Sequence, residues 1–243
     1  MSKLGLVFAI SAVAAIAPLC AQSDNHNGQV PVLLELFTSE GCSDCPPADR
    51  LLEALDRTQS VAGAEVIVLS EHVDYWNRLG WKDPFSLEAA TERQGRYGQR
   101  FGDGSYTPEI VVDGLSGHVG SDREQVASAI EAAKRQSQTA ATVALKNDGG
   151  QLSIDVGSGN GSGRVLLIGF DHGHETVIRR GENGGRTFQE SNVVRSIRSV
   201  GDWKGAALRI SEKLPEGEDA AVILEAPDGR IVGASRPLGA GAS

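Results

Sequence analysis

The chain has 243 residues, of which 40% are hydrophobic and 23% charged, a composition that excludes collagen-like and wholly disordered classes. Its formal net charge is −9, and without a basic run it lacks the electrostatic footprint of a nucleic-acid binder or an anionic-membrane binder. The length suits two domains better than one small one.

Met1-Ser2-Lys3 carries one positive charge, Leu4 to Leu19 runs without any, and small residues close the run at Cys20-Ala21. This is the layout of a secretory signal peptide cleaved after Ala21, and the apolar run is a little short for a membrane span. Residues 1–21 are therefore expected to be a leader and 22–29 a polar arm. The protein is expected to be exported, periplasmic or secreted, with no stable membrane insertion once the leader is gone. Cleavage removes Cys20 and leaves Cys42 and Cys45 as the two cysteines.

Val30 to Phe37 is a short apolar run bounded by turn residues, which predicts a buried strand. A loop leads to a helix that opens on Cys42, with Ser43 and Asp44 as capping residues and Pro46-Pro47 in the first turn, where amide donors lack helical partners. Ala48, Leu51, Leu52 and Leu55 mark its apolar face. Glu65 to Ser70 predicts a second buried strand, Pro84 to Phe101 a polar helix, and Glu109 to Asp113 a third strand. Asp113-Gly114 is a hairpin signal, with return over Ser116 to Val119, and Ser121-Asp122 caps a helix ending at Gln136. The predicted order is β-α-β-α-β-β-α.

Beyond Ala141 the pattern changes to short runs split by Gly, Asn and Asp: ATVALK, QLSIDVG, RVLLIGF, ETVIRR, NVVRSIRSV, AALRIS, AAVILEA and RIVGAS. Several alternate at period two, as in an antiparallel sandwich. The fold class expected is α/β over residues 30–138, followed by an antiparallel all-β, sandwich-like domain over residues 139–243. The Gly157-to-Gly163 stretch is expected to be a hairpin loop within the latter.

A disulfide across two residues closes almost no loop, so as a structural staple Cys42–Cys45 would contribute little. The pair opening a helix after a buried strand points instead to thiol–disulfide chemistry. Cys42 at the helix start would be the attacking thiolate, favoured by the dipole, and Cys45 the resolving thiol. Asp44, between them, opposes the dipole and tunes the thiol pKa upward, or else points to solvent and merely caps a helical amide. A lone structural disulfide is one alternative. Another is copper(I) or a different metal held by Cys42 and Cys45 with His72 as the extra ligand; His172 and His174 form a second histidine pair. In the β-rich half Arg180, Glu182, Asn183 and Asn192 stand out beside the glycines of a tight turn.

The segments LELFTSEGCSDCPPADRLL, SEHVDYWNRLGWKDPF, YTPEIVVDG and RGENGGRTFQESNVVR resemble a family of secreted bacterial thioredoxin-like proteins classified as domain of unknown function 1223. The resemblance spans essentially the whole chain after the leader and implies a thioredoxin-like N-terminal domain. In that superfamily a cis-proline faces the cysteine pair, and Thr107-Pro108 matches its position, so Thr107 and Pro108 are implied to offer backbone to an extended substrate. The chain departs from a minimal thioredoxin in the long segment from His72 to Phe101, whose Tyr75 and Trp76 are candidate substrate-binding residues at the sheet edge where open α/β sheets take ligands. Minimal thioredoxins also carry an acid in the strand before the cysteines. Glu35 comes nearest, one residue out of register, and reads as exposed.

The functional expectation is an exported thiol–disulfide oxidoreductase without a bound cofactor beyond its redox-active disulfide. It would act on a protein thiol or disulfide partner and draw electrons from a reducing donor, the reductase or isomerase direction being favoured. The alternatives are metal handling by the same cysteines and a non-catalytic binding module.

Overall fold

The structure, a computed structural model, describes residues 28–136 and 140–237. The expected leader and most of the arm lie outside the described residues. Among those described, no helix is long and apolar enough to cross a membrane.

The first seven elements appear in the predicted order: β1 (Val30–Thr38), α1 (Pro46–Thr58), β2 (Ala64–His72), α2 (Glu88–Phe101), β3 (Glu109–Val112), β4 (Ser116–Val119) and α3 (Arg123–Gln136). β1 and β2 run parallel, and β3 lies antiparallel on the other side of β1. Central strands have both faces covered, so β1 buries alternate sets. Val32, Leu34 and Leu36 pack against α1 and α3, while Leu33 meets apolar side chains from the C-terminal strands. The β3–β4 turn needs left-handed backbone at Asp113 (φ 47°) and Gly114 (φ 60°), as its Asp-Gly sequence predicted. Asp122 caps α3 by accepting from the Gln125 amide at 3.0 Å.

α1 starts later than expected. Its N-cap is Cys45, no side chain caps it, and the two prolines occupy its first two positions. Cys42 sits in the preceding turn, and Ser43 and Asp44 are exposed. α2 begins at Glu88, after an irregular stretch from Pro84.

The eight apolar runs of the C-terminal half become seven strands: β5 (Val143–Asp148), β6 (Gln151–Val156), β7 (Gly163–Val177), β8 (Thr187–Trp203), β9 (Leu208–Lys213), β10 (Asp219–Glu225) and β11 (Ile231–Ser235). RVLLIGF and ETV are one strand of 15 residues, because the polar segment between them keeps its ladder with β8 across register shifts.

The strands form an eight-stranded sheet, ordered β11-β10-β7-β8-β2-β1-β3-β4, and a three-stranded antiparallel sheet, ordered β5-β6-β9. The small sheet stacks on the large one through Leu145, Leu152, Ile154, Val165, Leu167, Trp203 and Val222. The large sheet runs through the expected boundary near residue 138: β8 lies beside β2, in parallel, at Ser70 and Val193. Leu33, Ile67 and Leu69 share a cluster with Ile168, Phe170, Val194 and Ile223. The Gly157-to-Gly163 stretch is not a hairpin loop, since β6 and β7 belong to different sheets.

Candidate functional site

Cys42 and Cys45 form a disulfide with Cα atoms 5.4 Å apart. It lies between the end of β1 and the start of α1, and both cysteines are buried, at 1% and 0% exposure. The helix terminus beside it is poor in donors. Pro46 and Pro47 have no amide hydrogen, and the next two amides, Ala48 and Asp49, both donate to the Cys45 carbonyl at 2.8 and 3.1 Å. The macrodipole remains, but these four positions leave no spare donor for a thiolate.

The loop Ser39–Cys42 is clamped from several sides. Trp76 packs on it so closely that a Cβ on Gly41 would come within 3.3 Å of the Trp76 Cβ. The Trp81 indole donates to Glu40 Oε2 at 2.6 Å, and Asp83 accepts from the Glu40 amide at 2.8 Å. From the β7–β8 turn, Asn183 donates its side-chain amide to the carbonyls of Glu40 and Cys42, both at 2.9 Å. Gly181 (φ +79°) reaches Gly80 and Trp81 on the same side: a Cβ there would sit 3.2 Å from the Trp81 Cβ. The GENGG segment is thus a turn, as expected, but one whose Asn183 is 1% exposed and holds the cysteine loop. Arg180 and Glu182 are exposed, and Asn192 bonds Asp56 on α1 at 3.1 Å.

The Thr107–Pro108 bond is cis. Pro108 lies by Gly120, where an added Cβ would meet Ala48 of α1 at 3.0 Å and Pro108 at 3.2 Å, so the proline flanks the first turn of α1. The Trp76 indole donates to Thr107 Oγ1 at 2.8 Å, and the Tyr75 hydroxyl to Gln94 at 3.2 Å. The structure therefore joins Trp76 to both the cysteine loop and Thr107, while Tyr75 ties this segment to α2. Asp44 projects to solvent, where water screens its charge, so its influence on the cysteines is weaker than its sequence position suggested.

His72 does not join the cysteines as a third ligand. Its Nδ1 pairs with Asp83 Oδ2 at 2.8 Å and its Nε2 faces Glu190 Oε1 at 3.6 Å. Among the described residues no group of three His, Cys, Asp or Glu side chains is placed to hold a metal ion. Burial alone would lower the imidazole pKa, but Asp83 and Glu190, helped by Asp49, raise it to about 10. His72 is thus buried between two carboxyl groups, Asp83 and Glu190, that favour its protonated form. Burial pushes Asp49 up to about 6 and Glu190 to about 8 against the pull of His72. Asp49 is one turn beyond Cys45 on α1, its carboxylate held by Thr38 at 2.9 Å. His172 and His174 are elsewhere, beside Asp219 and Asp171 respectively.

Glu35, expected at the surface, is fully buried. It points from β1 toward α2, where Arg93 pairs with it and the Tyr97 hydroxyl donates to it at 2.7 Å. Arg93 also pairs with Glu225 of β10. Sequence reading passed over Asp49, Asp83, Arg93 and Glu190. The signal available for the first was its spacing, i+4 from Cys45, which puts both on one helix face.

Residues 33–225 match the family described as "Protein of unknown function (DUF1223)". The chain belongs to this family. A crystal structure of a protein from Agrobacterium tumefaciens is similar, with 31% sequence identity and a TM-score of 0.76, over 88% of this chain and 97% of that one. HBP35 of Porphyromonas gingivalis shares 15% identity with a TM-score of 0.61, over 86% of this chain and 74% of its own, which is a likeness of fold. No curated protein matches the chain. Two segments of this DUF1223 chain, GCSDC and RGENGGR, meet at the hydrogen bond from Asn183 to Cys42.

Proposed function

We propose that the protein is an exported thiol–disulfide oxidoreductase of thioredoxin type, in which Cys42 and Cys45 cycle between disulfide and dithiol. The observation that carries this reading is the Cys42–Cys45 disulfide at the C-terminal end of the parallel β1–β2 pair, at the start of α1, where open α/β sheets present reactive groups. The placement of Pro108 beside the same helix turn supports it.

In the reducing direction, the Cys42 thiolate attacks one sulfur of a target disulfide. A mixed disulfide forms and the first target thiolate leaves. Cys45 then loses its proton and attacks Cys42 Sγ, which releases the second target thiolate and closes the Cys42–Cys45 disulfide. Two electrons pass to the target, and a dithiol donor returns two to the pair. Asp49, with a pKa of about 6, is suited to accept the Cys45 proton near neutrality. Thr107 and Pro108 line the target chain beside Trp76. Burial of both sulfurs disfavours thiolate, as does the loss of spare amides at Pro46 and Pro47. Both favour a potential nearer the reducing end of the known range, below about −200 mV.

Equilibration of the purified protein against dithiol/disulfide buffers, read by alkylation of the native protein, tests this. A reversible potential inside the range of about −120 to −270 mV, with Cys45→Ser but not Cys42→Ser trapping mixed disulfides, supports it. A pair reducible only after unfolding would make the disulfide structural. Tight copper(I) binding by the reduced protein that His72→Ala weakens would favour metal handling instead.

A further inference from the structure

Four arginines line one cavity in this acidic chain. Arg93, Arg96 and Arg100 come from α2 and Arg164 from the start of β7; Tyr97 and the turn Pro227–Gly229 complete a space of about 350 Å³. Positions 93, 96, 97 and 100 follow the spacing of a single helix face.

The cavity's carboxylates are already engaged. Glu225 Oε2 pairs with Arg93, and Oε1 accepts from Arg164 at 2.6 Å. Asp228 accepts from the Arg230 side chain at 2.7 Å and from its amide at 3.2 Å. Glu71, deeper in, has its pKa raised above the usual carboxylate range by burial and by Glu35, against the pull of Arg93 and Arg96. Arg96 and Arg100 make no ion pair or hydrogen bond with a carboxylate among the described residues, each exerting only a longer-range pull, Arg96 on Glu71 and Arg100 on Asp228. Arg100 is nonetheless fixed in place: it donates to the Asp228 carbonyl at 2.6 Å and lies over the rings of Phe101 and Tyr97, 4.7 and 5.6 Å from their centroids. A guanidinium has five donors in a planar fork, and most of those on Arg96, Arg100 and Arg164 remain unspent.

We propose that this cavity binds a small multivalent oxyanion, gripped by Arg96, Arg100 and Arg164. Planar forks match paired oxygens two at a time, and the volume is that of a small-ligand pocket. The site is independent of the cysteines, and it stands or falls separately from the oxidoreductase reading.

Isothermal titration of the purified protein with inorganic pyrophosphate, and separately with citrate, at constant ionic strength tests it. The expected result is one saturable site for at least one of the two anions, weakened at least roughly tenfold by Arg96→Ala, since a hydrogen bond to a charged group carries about that factor or more. Arg96→Lys should lose less, and Arg57→Ala, exposed on α1, nothing. The Arg96 side chain is exposed and makes no hydrogen bond among the described residues, so the thermal midpoint of Arg96→Ala should stay close to the parent's, which separates lost binding from lost fold. No saturable binding of either anion, or binding that Arg96→Ala leaves unchanged, would overturn the proposal.

Discussion

The side-chain amide of Asn183 is bonded to the carbonyl of Cys42 at 2.9 Å, across 141 positions of sequence. A turn in the C-terminal half thereby fixes the backbone of the cysteine loop in the N-terminal half.

Replacing Asn183 by Ala removes three side-chain hydrogen bonds, one of them accepted from Arg186, and strands two carbonyls. The expected cost is about 1–3 kcal/mol. The disulfide should also be reduced several-fold faster by a small dithiol, because the loop is released from its clamp. Thermal midpoints and quenched alkylation after timed dithiothreitol exposure measure the two effects. An unaltered reduction rate would mean that Asn183 supports the fold without restraining the disulfide.

Pro47 offers a second handle. It is exposed and occupies the second position of α1, where it withholds an amide donor. Pro47→Ala restores that donor at the end facing Cys42. The Cys42 thiol should become more acidic and the pair more oxidising, by about 30 mV for a gain of about 1.4 kcal/mol. Parallel titration in glutathione buffers reads the shift, and a variant more reducing than the parent would contradict the account of the helix terminus.

Stability should fall as pH rises from about 5 toward 10. Asp49, Glu190 and His72 have folded-state values near 6, 8 and 10, each above its ordinary value of 3.8, 4.5 and 6.5. Each therefore contributes stability that is full below its ordinary value and is lost as pH climbs through its folded value. Asp83 is shifted the other way, so its contribution is lost only in acid below about 4. Urea midpoints between pH 5 and 9 should decline, and Glu190→Gln should flatten the decline between 5 and 8. A rising midpoint would refute the assignment.

The two halves should not separate. Truncation after Gln136 would expose the edge of β2 and strip Leu33, Ile67 and Leu69 of their partners in β7, β8 and β10. It would also leave Arg93 without Glu225, and breaking such a buried pair costs about 3–5 kcal/mol. The fragment should lack cooperative melting by circular dichroism, whereas the parent should unfold in one transition. A fragment that melts cooperatively would instead mark a domain boundary near residue 138.

The first seven elements were legible because each is announced locally: by apolar runs, by the Pro-Pro and Asp-Gly punctuation, and by the cap at Asp122. The cysteine motif was legible for the same reason. What escaped depends on distant pairing. Glu35 read as exposed because it falls one residue out of register with the acid of minimal thioredoxins, yet a central strand has no outer face, and its partner Arg93 lies on another element. RVLLIGF and ETV read as two strands because nothing local shows that β8 keeps the ladder through Asp171–His174. Asn183 was noticed as a turn residue, while the carbonyls it serves lie on the far side of the sequence. Asp83 and Glu190 look like ordinary surface acids until His72 is seen to be buried between them.

The clamp over the cysteines also imposes an order of events. A ribosome adds about 5–20 residues per second, so the 141 positions between Cys42 and Asn183 correspond to roughly ten seconds of synthesis. During that interval the two sulfurs exist without the turn that later encloses them. An oxidant that reaches the pair before the turn has docked meets an open loop, and one that reaches it afterwards meets a closed one. The maturing chain and the finished molecule therefore present the same disulfide to different sets of reactants.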